Sequence, residues 1–420
     1  MKRNLFLPLA LLLAAVLSGC VEPAPEEDRG FDSARSFAHY QTNVYAAETP
    51  DTIYFMTNGY FKFIKYVDKA TGISGVLCGK PECRHNDSDC NAYVMMPKFL
   101  FVDSGRLYWI TTESTQLSPF TDCVYSMAPD GTDRRKEAEL PPDLSPSGIS
   151  FNHYLLCDGW IYYSTVSDEI KDGVQTHYNY VAAASLASKQ ESATVILLEE
   201  TNAALYDDAS IQFYGGYLYI LTSNYNVSSG EDEYLADCRL RRWRAETGEL
   251  ETLYEDYRSP LNFTSELWVT DGGVFFNRNT SPTADAPLEN RIYRYDFDSG
   301  ECEHIFDNGM YGWPDQTLIA DDLITGYGLM KNDGGIYDFY VVLKDFEGNV
   351  LVDKTYTLDI RDGYTGYGRY GIRFLGRDEE YAYYSFSGSS DNINYVSIIS
   401  AALDGSGARV MCTQSEQYGG

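Results

Sequence analysis

Apolar and aromatic residues gather in short strand-length runs, each opened by a turn and spaced at a nearly constant interval. The runs are Thr52-Ile53-Tyr54-Phe55, Arg106-Leu107-Tyr108-Trp109, Trp160-Ile161-Tyr162-Tyr163, Tyr217-Leu218-Tyr219-Ile220, Gly273-Val274-Phe275-Phe276, Asp322-Leu323-Ile324-Thr325 and Tyr381-Ala382-Tyr383-Tyr384. From Ile53 the steps are 54, 54, 57, 56, 49 and 59 residues. β-Branched and aromatic residues in runs this short predict strands, not helices. Pairs such as Ser104-Gly105, Asp158-Gly159, Gly215-Gly216 and Gly272-Gly273 stand before several runs. Later in each unit comes a hairpin signal: Lys69-Ala70-Thr71-Gly72, Pro129-Asp130-Gly131-Thr132, Glu246-Thr247-Gly248, Asp298-Ser299-Gly300, Glu347-Gly348-Asn349 and Asp404-Gly405-Ser406-Gly407. The third unit offers only Ala187-Ser188-Lys189. Four strands per step of about 50 residues predict an all-β propeller, because sandwich turns recur every 8–12 residues without a longer period. The expectation is seven four-stranded blades over 40–415, with six or eight as alternatives, and a first strand within Thr42 to Glu48. No strand exchanged between the termini is evident.

Composition narrows the picture. The 420 residues include 36 Tyr and 20 Phe, with 44% hydrophobic and 22% charged residues, which excludes disorder for most of the length. A net charge of −30 excludes charge-driven binding to nucleic acid or to an anionic membrane surface.

Lys2 and Arg3 precede an apolar run from Leu5 to Val16, too short for a bilayer span of about 20 residues and suited to a secretory signal. Leu17-Ser18-Gly19-Cys20 resembles the lipobox of bacterial lipoproteins. That resemblance implies diacylglycerol on the Cys20 thiol, cleavage of 1–19, and a protein held on the outer face of the bacterial membrane by this lipid alone. Residues 20–39, Pro- and Glu-rich at their start, are expected to be a flexible linker. The aromatic runs resemble YWTD-type and TolB-type propeller repeats, Leu107-Tyr108-Trp109-Ile110-Thr111 most closely, and the Thr-Gly hairpins resemble quinoprotein-like repeats. With the segment Cys78-x4-Cys83-x-His85-x4-Cys90, the chain is similar to a group of Gram-positive surface lipoproteins without a defined activity. WD dipeptides, a full Kelch signature, the quinoprotein tryptophan ring and the sialidase box are all absent.

In such a ring the connections from second to third strand, and from each blade to the next, share one end. The segments Glu113 to Asp122, Val166 to His177, Ser223 to Asp237 and Asn277 to Glu289 are read as long polar loops there. The inter-blade connections add the cysteine segment, Tyr311 with Trp313, and Tyr364, Tyr367, Arg369 and Tyr370 as a candidate binding face. Tyrosine offers a flat ring and a polar tip at low entropic cost, suited to a glycan, a peptide or an envelope protein.

Three thiolates and an imidazole make a tetrahedral zinc set, yet exported cysteines tend to pair. Cys78, Cys83 and Cys90 are therefore read as a disulfide staple drawing on Cys123, Cys157, Cys238, Cys302 or Cys412, as a structural zinc site, or as reduced thiols. Calcium at Asn86-Asp87-Ser88-Asp89 or Ser229-Gly230-Glu231-Asp232 is a weaker option, since neither has EF-hand register. His153 and His304 read as structural residues, and His177 as a loop residue that could serve as a ligand. Asp232-Glu233 and Asp378-Glu379-Glu380 read as solvated charge. No nucleophile elbow, zincin helix, P-loop or dinucleotide fingerprint is present. The leading expectation is a lipid-anchored, non-enzymatic binding or scaffold propeller with catalytic residues unknown; the alternative is a surface carbohydrate hydrolase or lyase with carboxylates at the channel mouth.

Overall fold

Each of the seven aromatic runs lies in the second strand of a four-stranded antiparallel sheet. The computed structural model describes residues 46–57, 61–113, 121–140, 154–157, 159–171, 174–186, 194–202, 208–227, 234–260, 267–280, 289–308, 316–320, 323–331, 337–360, 371–390 and 393–417. All of them fall within one unit, Asp32–Gly420. Seven sheets follow in chain order, each a meander. Blade 1 comprises Ala46–Glu48, Thr52–Phe55, Lys65–Asp68 and Ser74–Val76; blade 2 comprises Pro97–Asp103, Arg106–Glu113, Thr121–Met127 and Arg135–Glu139. Blades 3 to 6 begin at Tyr154–Cys157, Asp208–Tyr214, Leu267–Thr270 and Gln316–Ala320. Blade 7 comprises Gly371–Arg377, Tyr381–Ser390, Ile393–Ala402 and Ala408–Gln417. First strands of successive blades touch in order, and that of blade 7 touches that of blade 1. The architecture is a closed seven-bladed β-propeller.

Why the second strands are apolar on consecutive residues follows from their position. Side chains alternate across a strand, and each sheet is sandwiched between two others. Leu107 and Trp109 enter the core shared with blade 1, while Tyr108 and Ile110 face the core shared with blade 3. In blade 7, Ala382 and Tyr384 join the core toward blade 6, and Tyr383 that toward blade 1. A fully buried Leu or Ile at such a position contributes about 1.5–3 kcal/mol relative to exposure.

The turns between third and fourth strands form as expected. Their glycines, Gly72, Gly131, Gly248, Gly300, Gly348 and Gly405, take left-handed φ of 69–84°. An aspartate often caps the turn: Asp68 Oδ1 accepts the Thr71 N–H (2.7 Å), and Asp296 Oδ1 the Ser299 N–H (2.9 Å). The weak third-unit signal, 187–189, lies outside the described residues.

One expectation needs correction. In blades 3 and 4 the long polar segments between second and third strands are largely strand, not loop, while most of Glu113 to Asp122 and Asn277 to Glu289 lies outside the described residues. In blade 3 pairing runs from Trp160↔Ser185 out to Lys171↔Val174, and in blade 4 from Tyr217↔Arg244 to Val227↔Tyr234. Backbone pairing extends these hairpins without an apolar alternation to mark them.

Among the described residues the ring closes without a shared strand, since blade 1 is wholly N-terminal and blade 7 wholly C-terminal in sequence. Ala46, Ile53, Phe55 and Val67 pack against Leu375, Tyr383, Val396 and Ile398. Lys69 Nζ meets Glu48 Oε2 at 2.8 Å, their side chains 7% and 10% exposed, and Lys69 lies 4.6 Å from the centre of the Tyr383 ring. Gly376 leaves room for the Glu48 carboxylate, which a Cβ there would strike. Gln414 Nε2 donates to Ser74 Oγ (2.9 Å) across the same seam.

Candidate metal centre and binding face

The cysteine segment connects blade 1 to blade 2 as a loop closed at its neck. Ile64 carbonyl accepts the Leu77 N–H, and the Ile64 N–H donates to Ala92 carbonyl, both at 2.9 Å. Just beyond the neck, Tyr93–Met95 pairs with Phe61–Phe63 as a separate two-stranded sheet. Leu77, Cys90, Ala92 and Val94 are buried in the core between blades 1 and 2.

Inside the loop, tight turns swing the four candidate ligands inward. The Cys83 N–H donates to Lys80 carbonyl (3.2 Å) and the Cys90 N–H to Asp87 carbonyl (3.3 Å). His85 adopts a left-handed φ of 54°, uncommon for a residue with a side chain. One ligand atom from each of Cys78, Cys83, His85 and Cys90 lies within 4.8 Å of all the others. His85 Nδ1 is 3.5 Å from Cys90 Sγ. The three sulfurs are thiols, not disulfide sulfurs. This group can bind a metal ion. Burial works against the Cys78 thiolate, but backbone N–H groups of Lys80 and Asn91 hold its thiol below the usual value. Burial pushes the Cys90 thiol up, with the neighbouring cysteines adding to the rise and the Ala92 N–H opposing it. A cavity of about 690 Å³ is lined by Lys80, Glu82, Cys83, Arg84, Asp87 and neighbouring residues.

The loop folds onto the turn between the third and fourth strands of blade 2. The Gly79 N–H donates to Gly131 carbonyl (3.1 Å), and Asn91 Nδ2 donates to the same oxygen (2.8 Å). Gly131 cannot be replaced without cost: its φ is 80°, and a Cβ would come within 2.8 Å of Cys78 Cα. Just past this turn, Arg134 Nη1 donates to the carbonyls of Cys90, Asn91 and Tyr93, the last at 2.6 Å. Its guanidinium stands over the rings of Trp109 and Tyr125, 5.3 and 5.2 Å from their centres. Nothing in the local pattern around Arg134 marks it; only the folded loop brings it there.

Two further clusters escaped the sequence. Asp122 is almost fully buried and accepts from Lys98 Nζ (2.7 Å), Thr112 Oγ1 (2.7 Å) and Tyr154 OH (3.0 Å), tying blade 2 to blade 3. Glu113 Oε1 accepts from Tyr125 OH, and Glu113 Oε2 accepts both from Lys136 Nζ (2.9 Å) and from the Cys123 thiol (3.4 Å). Burial drives the Cys123 thiol up to about 12, so it stays protonated at neutral pH and is a poor nucleophile.

The remaining expected sites fall as follows. Cys20, Tyr311, Trp313, Tyr364, Tyr367, Arg369 and Tyr370 lie outside the described residues, as do His153 and Ser229 to Glu233. His177 sits within a strand of blade 3, and His304 in the fourth strand of blade 5 beside the Tyr293 ring. At the proposed calcium segment, Asp87 Oδ1 accepts the Asp89 N–H (3.1 Å). Glu379 and Glu380 are exposed as expected, whereas Asp378 is not simply solvated. It accepts the Glu380 and Tyr381 N–H groups (2.9 and 2.7 Å) and the Tyr383 hydroxyl, inside the closing seam.

Solved structures of similar fold span nearly the whole chain. An ulvan lyase of polysaccharide lyase family PL25 aligns at TM-score 0.54 and 13% identity over 90% of this chain and 95% of its own. The same lyase bound to -[GlcA(1-4)Rha3S]- aligns at 0.55 and 13%, with the same coverage. A puromycin hydrolase aligns at 0.50 and 12% over 90% of this chain and 55% of its own. No family model matches the sequence, and no curated protein does. At these identities the likeness is one of fold, and the fold is the propeller.

Proposed function

We propose that this is an exported, lipid-anchored propeller that acts as a non-enzymatic binding or scaffold module for a glycan, peptide or envelope protein. The observation that carries the reading is the asymmetry of the ring's two ends. Paired hairpins lengthen one end in blades 3 and 4, while the other carries short aspartate- and glycine-closed turns. Binding residues concentrate where a rigid scaffold projects variable connections. The sequence assigns the aromatic connections around Trp313 and Tyr367, which lie outside the described residues, to the same end as those hairpins. The cysteine group is a fastener in this reading, not a reaction centre.

The test uses mature protein on glycan and cell-wall panels and in pull-downs from envelope extracts. A retained ligand whose affinity falls at least about tenfold in Tyr367→Ala or Trp313→Ala supports the reading. Absence of any ligand, with both variants behaving as the parent, ends it. Palmitate labelling that disappears in Cys20→Ala tests the anchor. A carbohydrate lyase or hydrolase is the second reading, supported by the full-length likeness in fold to a polysaccharide lyase. Release of new reducing ends or unsaturated products from envelope polysaccharide would favour it over simple binding.

A further inference from the structure

We propose that Cys78, Cys83 and Cys90 as thiolates, with His85 through Nδ1, hold one zinc ion in a closed tetrahedral structural site. Three sulfurs and one imidazole nitrogen are a donor set that structural zinc takes, with all four positions filled by protein. The separation supports it. Two ligands of one tetrahedral zinc, with bonds of about 2.3 Å to sulfur and 2.0–2.1 Å to nitrogen, stand about 3.5 Å apart. His85 Nδ1 and Cys90 Sγ stand at 3.5 Å. The other ligand atoms converge within 4.8 Å around the same point.

The surroundings are those of a metal ligand shell. Cys78 accepts the N–H of Lys80, and Cys90 that of Ala92, each two residues further on, so the same small turn cradles both sulfurs. Such outer contacts orient thiolate ligands and tune their charge. Three thiolates and a neutral imidazole around one Zn²⁺ leave a net charge of −1 on the centre. Arg134, held against the Cys90 carbonyl, is a neighbouring cation. A disulfide accounts for less. It would use two sulfurs and leave a third thiol and an imidazole turned toward the bond with no role.

The inference rests on the fastener role given to this group above, and its test does not involve ligand binding elsewhere on the ring. Mature protein is purified without chelator and its metal content is measured with its intact mass under non-reducing conditions. One zinc per chain is expected, retained in Cys412→Ser and in His85→Cys, and lost in Cys90→Ser and His85→Ala. Should those variants fail to fold, cobalt titration of the chelated parent replaces them; a one-to-one end point with the visible bands of tetrahedral thiolate cobalt is expected. A mass short by the hydrogens of a disulfide, with no zinc, overturns the proposal. So do metal-free thiols that alkylate readily in the native protein, or a cobalt titration without those bands. Ligand binding that persists in the zinc-free variants would leave the binding reading standing while the site is judged alone.

Discussion

Blade 1 is joined to its two neighbours by opposite means. Toward blade 2 the chain is continuous, and a detour of the backbone supplies the joint: a necked loop, Arg134 across three carbonyls, and two glycines allowing backbones to meet. Toward blade 7 there is no continuity, and side chains alone supply it: Glu48, Lys69, Tyr383 and an apolar cluster. The reason both joints are reinforced lies in blade 1 itself. Its strands are three or four residues long, against seven to ten in blade 7. Short strands make few ladder bonds and bury little surface, so the smallest blade depends most on what lies beside it.

The sharpest way to break the comparison is to remove one charge from the closing seam. Lys69→Ala removes the ion pair from the buried Glu48 carboxylate and is expected to destabilise by about 3–5 kcal/mol in urea unfolding. Replacing both, as Lys69→Met with Glu48→Gln, is expected to cost less, because no uncompensated charge remains. On the other side, Arg134→Ala removes three carbonyl contacts and two ring contacts, for an expected loss of about 2–4 kcal/mol. The same change is expected to weaken metal retention about 10–100-fold in chelator competition. Gly131→Ala imposes a Cβ on a left-handed residue pressed against Cys78, and about 1–3 kcal/mol is expected. That loss should appear as faster amide exchange in 77–92, with the seam to blade 7 unchanged.

Acid should act on the seam and not on the necked loop's glycine contacts. Burial opposes the Asp378 carboxylate, but the Tyr383 hydroxyl, the Glu380 and Tyr381 N–H groups and nearby Lys69 hold its carboxyl below the ordinary 3.8. A carboxyl lowered on folding stabilises at pH above its unfolded value and loses that contribution as pH falls through its folded one. The melting temperature is therefore expected to fall below about pH 4, less steeply in Asp378→Asn. Smallest of all, Arg135→Ala breaks only the surface pair with Glu137 (2.7 Å) and should leave the melting temperature unmoved.

What could be read in advance divides along the same physical line. The seven second strands were legible because both their faces are buried, so burial writes consecutive apolar residues such as Leu107 to Ile110. The tight turns were legible because left-handed backbone selects glycine at Gly72 or Gly248. The extended hairpin Val166 to His177 was not, because its residues carry no apolar alternation and backbone pairing accepts polar residues as well as apolar ones. The cysteine spacing pointed to the right four residues as a group. Its place against Gly131, and its neighbour Arg134, depend on how the loop folds back, which no local pattern records.

The unshared closure also sets an order of assembly. Each blade is a local meander, able to form as soon as its own strands are available. Only the last joint links distant parts of the chain, as Gln414 to Ser74 does across 340 residues. During synthesis from the N-terminus, the apolar flank of blade 1 around Ile53 and Phe55 must wait for blade 7 before it is covered. Because no strand is borrowed across that joint, a circularly permuted chain opened between any other two blades would turn this late, long-range closure into an early, local one.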